Sequence, residues 1–197
     1  MSTMDLKKRI IHESLRLFSL KGFLSTSITD ILKVASTSKG GFYNHFASKE
    51  DLFFQVLDEA SKIWRERNLL GLDEIASPLG KIRRLLENFR DRYLTDTENF
   101  PGGCIFVTFS VELADQRPHL AKKVNAGFVG LKVMLKRLLD EGKELGELRD
   151  DVSTSAVAEM LFAGMVGVSV IYGIDESSGG LDRSVNAMID YLETLKP

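Results

Sequence analysis

GFLSTSITDILKVASTSKGGFYNHFASKEDL, residues 22–52, carries two short helical patterns parted by a polar turn. Ile28, Ile31, Leu32 and Ala35 recur at helical spacing over residues 28–35. Ser27 stands just before them, where its hydroxyl can accept from the free amides two or three residues on. Ser36-Thr37-Ser38 forms the turn, and a second short helix is expected over residues 39–46. Ala47-Ser48 interrupts it. Ser48 then caps a long helix over residues 49–70, with Glu50 and Asp51 at its positive end. Two short helices joined by a three-residue turn, with a longer helix on either side, describe a helix-turn-helix unit. Phe42, Phe46, Leu52 and Phe53 are its anchors to the first helix.

That first helix is expected over residues 4–20. Leu6, Ile10, Ser14, Leu17 and Phe18 lie on one face, Lys7, Lys8, Arg9, Glu13 and Arg16 lie off it, and Lys21-Gly22 stops it. Beyond Gly71, Pro78 opens a helix to about Leu94 at a position proline favours. Residues 95–103, with Pro101-Gly102-Gly103, form a loop. Further helices are expected over 104–114, 118–142, 156–174 and 181–195. The whole is an all-α chain of about nine helices. A three-helix head (residues 1–50) is expected to precede a larger helical domain (residues 51–197).

The composition suits a soluble globular protein, with 44% apolar and 27% charged residues among 197. One cysteine excludes an internal disulfide framework and a cysteine-rich zinc site. The amphipathic N-terminus lacks the apolar core of a signal peptide, so a cytoplasmic location is expected. The net charge is only −2, yet residues 1–50 hold eight Lys or Arg against four Asp or Glu while the remainder is acidic. A basic head on an acidic body fits a nucleic-acid-binding module joined to a different one. No phosphate-binding glycine loop, nucleophile elbow or paired-histidine metal motif occurs, and His12, His45 and His119 fall on different helices. Neither catalytic residues nor a metal or cofactor are expected.

The 22–52 stretch resembles the DNA-binding domain of the tetracycline-repressor (TetR) family of bacterial transcription factors. The likeness rests on Gly22-Phe23, Thr26-Ser27-Ile28, Asp30-Ile31, Ser38-Lys39-Gly40, Phe42-Tyr43-x-His45-Phe46 and Ser48-Lys49-Glu50-x-Leu52. It departs in the turn, where Ser36-Thr37 stands in place of the family's usual Gly-Val, so the turn is expected to survive with some strain. The resemblance implies that Tyr43 and Lys49 bond phosphates, that Ser27 and Thr29 meet the flanking backbone, and that Lys39, Gly41 and Asn44 face bases. Ser38, Gly40 and His45 complete the set. The chemistry agrees: glycines let the backbone approach DNA, and Lys and Asn match base edges in the major groove. The implied partner is a double-stranded, palindromic DNA operator. A helical small-molecule sensor with little or no DNA binding is the alternative that the altered turn leaves open.

Cys104 follows Pro-Gly-Gly and opens a helix, where free amides and the helix dipole favour a thiolate. The segment GGCIFVTFSVELAD is similar to that of the N-ethylmaleimide-responsive (NemR-type) members of the family, which implies an electrophile or oxidant sensor there. Phe89, Tyr93, Phe106, Phe109, Phe128, Phe162 and Met165 read as core by spacing. The family's helical core encloses a ligand pocket, so the resemblance also makes them candidates to line a site for a small apolar or electrophilic effector. The segment 156–174 is nearly all apolar with a single charge, Glu159. Its small residues favour close helix packing over a membrane span, and a second copy of the chain is the expected cover. A homodimer through the last two helices follows, with Ala163, Gly164 and Gly167 expected to allow close approach.

Overall fold

A computed structural model describes residues 5–197; the expected helix start at Met4 lies outside them. Among the described residues there are nine α-helices and no strand. They are α1 (Leu6–Lys21), α2 (Ile28–Val34), α3 (Lys39–Tyr43), α4 (Lys49–Asn68), α5 (Pro78–Asn88), α6 (Ile105–Leu113), α7 (Pro118–Glu144), α8 (Thr154–Asp175) and α9 (Ser178–Thr194). Serine hydroxyls start many of them. Ser27, Ser38, Ser77, Ser153 and Ser177 each accept from an amide three residues on. The cap at Ser177 begins α9 three residues ahead of its first core residue, Leu181, and so carries Gly179 and Gly180 into the first turn. α5 runs on into a π-helical turn, Phe89–Tyr93, closed by Leu94 N–H donating to Phe89 O at 3.0 Å.

The turn between α2 and α3 is kept without glycine. Ser36 takes φ +46°, Ser36 N–H donates to Lys33 O (3.2 Å) and Thr37 N–H to Leu32 O (3.0 Å). These two bonds are a Schellman closure with serine in the left-handed position. α3 is shorter than its pattern predicts. After Tyr43 the bonding tightens, with His45 N–H reaching Phe42 O, and the chain turns toward α4.

The described residues divide into two compact units, with boundaries inside α4, between Thr95 and Asp96, and inside α7. The first comprises residues up to Trp64 together with Asp96–Val124; the second comprises Arg65–Thr95 with Asn125–Pro197. The first unit thus holds α6 as well as the three-helix head. Its core is an aromatic cluster: Phe53 and Phe109 lie 4.8 Å apart between ring centroids, Phe23 and Phe53 5.1 Å, and Phe18 and Phe109 6.1 Å. Offset and edge contacts of this kind add to the burial of the rings.

In the second unit one side of α8 (Val157, Leu161, Met165, Val168) is buried, as are Leu181, Val185, Met188 and Leu192 of the adjoining α9. Gly164, expected at a contact between chains, meets α9 within this chain: a Cβ there would stand 2.5 Å from Met188 Sδ. Gly167 has no heavy atom near its Cβ position, and Ala163 is exposed. The other side of α8 carries Met160, Val170, Ile171 and Ile174, all exposed. By length and apolarity alone α8 could cross a membrane. Its one buried face and close fit to α9 are those of a packed helix.

Candidate nucleic-acid interface

The interface is built from α1 upward. Arg9 Nε of α1 donates to Ala35 O at 3.0 Å, fixing the end of α2. α2 begins with a reciprocal cap: Asp30 N–H donates to Ser27 Oγ (3.1 Å), and Ser27 N–H donates to Asp30 Oδ2 (2.9 Å). The Ser27 hydroxyl also donates to Asp30 Oδ2 at 2.7 Å. These bonds from Ser27 hold the Asp30 carboxyl below the usual carboxylate range. At the start of α3, Gly41 N–H donates to Ser38 Oγ at 3.1 Å. Phe42 and Phe46 are buried beneath α3, their centroids 5.4 Å apart.

Burying those two rings turns the opposite side of α3 outward. Lys39, Gly40, Tyr43 and Asn44 are all exposed there, Tyr43 by 46%. Ser27, Thr29 and Ser38 are exposed too, and Gly41 and His45 are half-buried. Gly41 is needed for closeness, since a Cβ at that position would lie 2.5 Å from Thr37 Oγ1. One surface thus presents an ammonium, a phenol hydroxyl, a carboxamide and bare backbone. These are groups that bond phosphate oxygens and base edges.

Lys49 sits differently from a free surface cation. Its Nζ donates to Phe23 O and Thr26 O, each at 2.8 Å, and lies 4.3 Å from the Phe23 ring centroid. Burial pushes its ammonium below the ordinary lysine range, against the pull of the Glu112 carboxylate. Glu112 has no signal in the sequence. It sits on α6 and accepts from Phe23 N–H and Leu24 N–H, both at 2.7 Å.

The expected effector residues divide between the units. Cys104, Phe106 and Phe109 belong to the first, where Cys104 is half-buried at the cap of α6 and Phe109 lies in the aromatic core. Phe89, Tyr93, Phe128, Phe162 and Met165 belong to the second. There Phe89 stacks on Tyr93 at 5.9 Å and Phe128 meets Phe162 edge-on at 5.4 Å. Lys132 Nζ lies 5.5 Å from the Phe162 centroid and 3.1 Å from Glu159 Oε1.

A capped α2, a tight four-residue turn and an α3 whose polar side faces outward define a helix-turn-helix DNA-binding protein. Comparison with known proteins makes the class specific. Residues 10–56 match the model of the bacterial regulatory proteins of the tetR family, and residues 78–188 match that of the tetracyclin repressor-like C-terminal domain. The chain belongs to the TetR family of DNA-binding transcription regulators. It is 26% identical over 193 residues to the HTH-type transcriptional repressor DhaR of a Mycobacterium species, covering 98% of this chain and 94% of that one. It is 24% identical over 194 residues to the HTH-type transcriptional repressor NemR of Escherichia coli, covering 92% and 90%. The crystal structure of a TetR transcriptional regulator from Chloroflexus aurantiacus superposes with TM-score 0.88 at 28% identity, covering 97% of this chain and 95% of that one.

Proposed function

We propose that the chain is a cytoplasmic homodimeric repressor that occupies a palindromic operator and leaves it when an effector binds. Residues 1–50 form the DNA-binding head and residues 51–197 carry the effector and dimer functions. The observation that carries this reading is the outward side of α3, with Lys39, Gly40, Tyr43 and Asn44 exposed above buried Phe42 and Phe46. In the proposed complex Thr29 and Tyr43 bond flanking phosphates. Lys39, Gly41 and Asn44 meet bases, with His45 at the edge, while Ser27 and Ser38 fix the helix starts. An ammonium has three donors; Lys49 spends two on the turn carbonyls and offers the third to phosphate.

The exposed Met160, Val170, Ile171 and Ile174 of α8 support a second copy as the cover for that helix, with α9 beside it. Two-fold symmetry then sets two recognition helices about 34–36 Å apart, one turn of DNA. An effector that favours another separation lowers operator affinity, and operator lowers effector affinity by the same factor. Selection of bound sequences from a random duplex pool, followed by salt titration, tests the reading. Affinity for the selected duplex should fall steeply with salt as counterions are released. A protein that enriches no sequence and binds no duplex at low salt refutes it, and leaves the helical sensor reading.

A second reading concerns the trigger. Cys104 is half-buried at the cap of α6, a position where a helix start stabilises thiolate. Modification by an electrophile or oxidant at this sulfur would then replace, or accompany, binding of a small apolar effector. Cys104→Ser should abolish electrophile-driven release from the operator and leave basal binding intact. Release that persists in this variant removes the sulfur as trigger.

A further inference from the structure

The link between α1 and α2 is five residues of turn (22–26) followed by the Ser27 cap, and most of its polar backbone groups have an identified partner. Gly22 N–H donates to Phe18 O at 2.9 Å, and Gly22 O accepts from Thr26 Oγ1 at 2.7 Å. Thr26 is itself buried. Phe23 N–H and Leu24 N–H go to the two carboxylate oxygens of Glu112, and Phe23 O and Thr26 O go to Lys49 Nζ. The amide side of the turn is therefore gripped from α6 and the carbonyl side from α4. Both grips are charge-assisted, the stronger kind of hydrogen bond.

The local sequence accommodates the grip. Gly22 adopts φ +79°, and a Cβ there would stand 2.6 Å from Glu112 Oε1, so no other residue lets the carboxylate approach. Phe109, one helical turn before Glu112, sits in the Phe18–Phe23–Phe53 cluster, so α6 is held by a ring on one turn and a carboxylate on the next. The loop leading into α6 is tied to α1 as well. Gly102 N–H donates to Ser19 Oγ at 2.9 Å, and Arg16 donates to Glu98 O.

We propose that Glu112 is a positioning residue for operator recognition: with Lys49 it fixes the α1–α2 turn from both sides, and so sets the attitude of α2 and α3 against α6. The proposal rests on the DNA-binding reading given above. It assigns Glu112 no contact with DNA. Its contribution is preorganisation, since a turn held before DNA arrives need not be ordered during binding. Non-specific binding, which is phosphate attraction tolerant of small misorientation, does not need that order.

The test compares wild type, Glu112→Ala and Glu112→Gln in full-length protein. Binding is measured by fluorescence anisotropy on a duplex selected by the wild type and on a random duplex, each as a function of salt. Glu112→Ala should lose about tenfold or more in affinity for the selected duplex, because the released turn must then be ordered during binding. Random-duplex affinity and salt slope should stay close to wild type. Glu112→Gln keeps one carboxamide oxygen as acceptor and should fall between. Hydrogen exchange at the Phe23 and Leu24 amides should quicken in Glu112→Ala while that of Ile10–Phe18 does not. Selected-duplex affinity within twofold of wild type in Glu112→Ala overturns the proposal. So does parallel loss of both affinities with a lower melting temperature, which marks Glu112 as a fold residue only; if the alanine variant does not fold, the glutamine variant is judged by the same criteria. A wild type that binds neither duplex removes the DNA-binding reading itself, a result distinct from either.

Discussion

Ser36→Gly should stabilise this protein, a gain that follows from one backbone angle. Ser36 holds φ +46° at the closure of α2, with Thr37 N–H bonded to Leu32 O. An L-residue in the left-handed region costs about 1–2 kcal/mol through the clash of Cβ with the following carbonyl. Glycine removes that cost but has more freedom to lose on folding, about 0.4–1 kcal/mol. The balance is a net gain of about 0.5–1 kcal/mol per chain, or a rise of roughly 1–4 °C in melting temperature for a chain of this size. Ser36 is exposed, so no buried contact is lost in the exchange. The assay is urea unfolding followed by circular dichroism, at one fixed protein concentration because subunit association shifts the midpoint. The midpoint should rise with the slope unchanged. Ser36→Ala, which deletes the hydroxyl and keeps the Cβ, should stay within about 0.5 kcal/mol of wild type. Ser36→Val, branched at Cβ, should fall below it. A glycine variant no more stable than wild type would refute the strain argument and show that the serine side chain contributes to the turn.

Phe109→Ala should cost about 3–5 kcal/mol in denaturant melts, because the ring is fully buried between Phe18 and Phe53; a loss under about 1 kcal/mol would place the ring outside the core. The depressed Asp30 carboxyl makes the α2 cap dependent on pH. Its folded value lies below its unfolded one, so the cap's stabilisation is complete above the unfolded value and is lost as pH falls through the folded value. The difference in stability between wild type and Asp30→Asn should therefore shrink on acidification, and a difference independent of pH would contradict the cap. Asn44→Ala should relax sequence preference while leaving random-duplex affinity nearly unchanged; equal loss of both means that Asn44 bonds phosphate. Ile171→Lys, which puts a charge on the exposed side of α8, should shift sedimentation toward monomer, and an unchanged dimer would move the interface elsewhere.

Much of the fold was legible because helix boundaries are local. Ser27, Ser38 and Ser48 lie within three residues of the amides they cap, and Pro78 and Pro118 mark helix starts by their fixed φ. The outward set on α3 was legible for the same reason, since Phe42 and Phe46 fix which side is buried. Apolar spacing places the start of α9 at Leu181, three residues late, because Gly179-Gly180 weakens a pattern that the Ser177 cap restores. Apolar spacing continues α3 to Phe46, although the backbone turns after Tyr43.

An all-α chain, a helix-turn-helix near its start and the polar groups it presents are all set by neighbours within one or two helical turns, and so are written in the residue order. Tertiary structure alone decided which partners the distant groups take. Lys49 turns to carbonyls 26 and 23 residues away, and Glu112 reaches amides 89 and 88 residues back. Phe109 joins the first unit's core, and Gly164 makes room for Met188. Periodicity says which side of a helix is apolar and where a charge stands along it. It carries no record of which other helix will arrive there, because that is settled only when the buried rings and unpaired backbone groups of remote segments find one another.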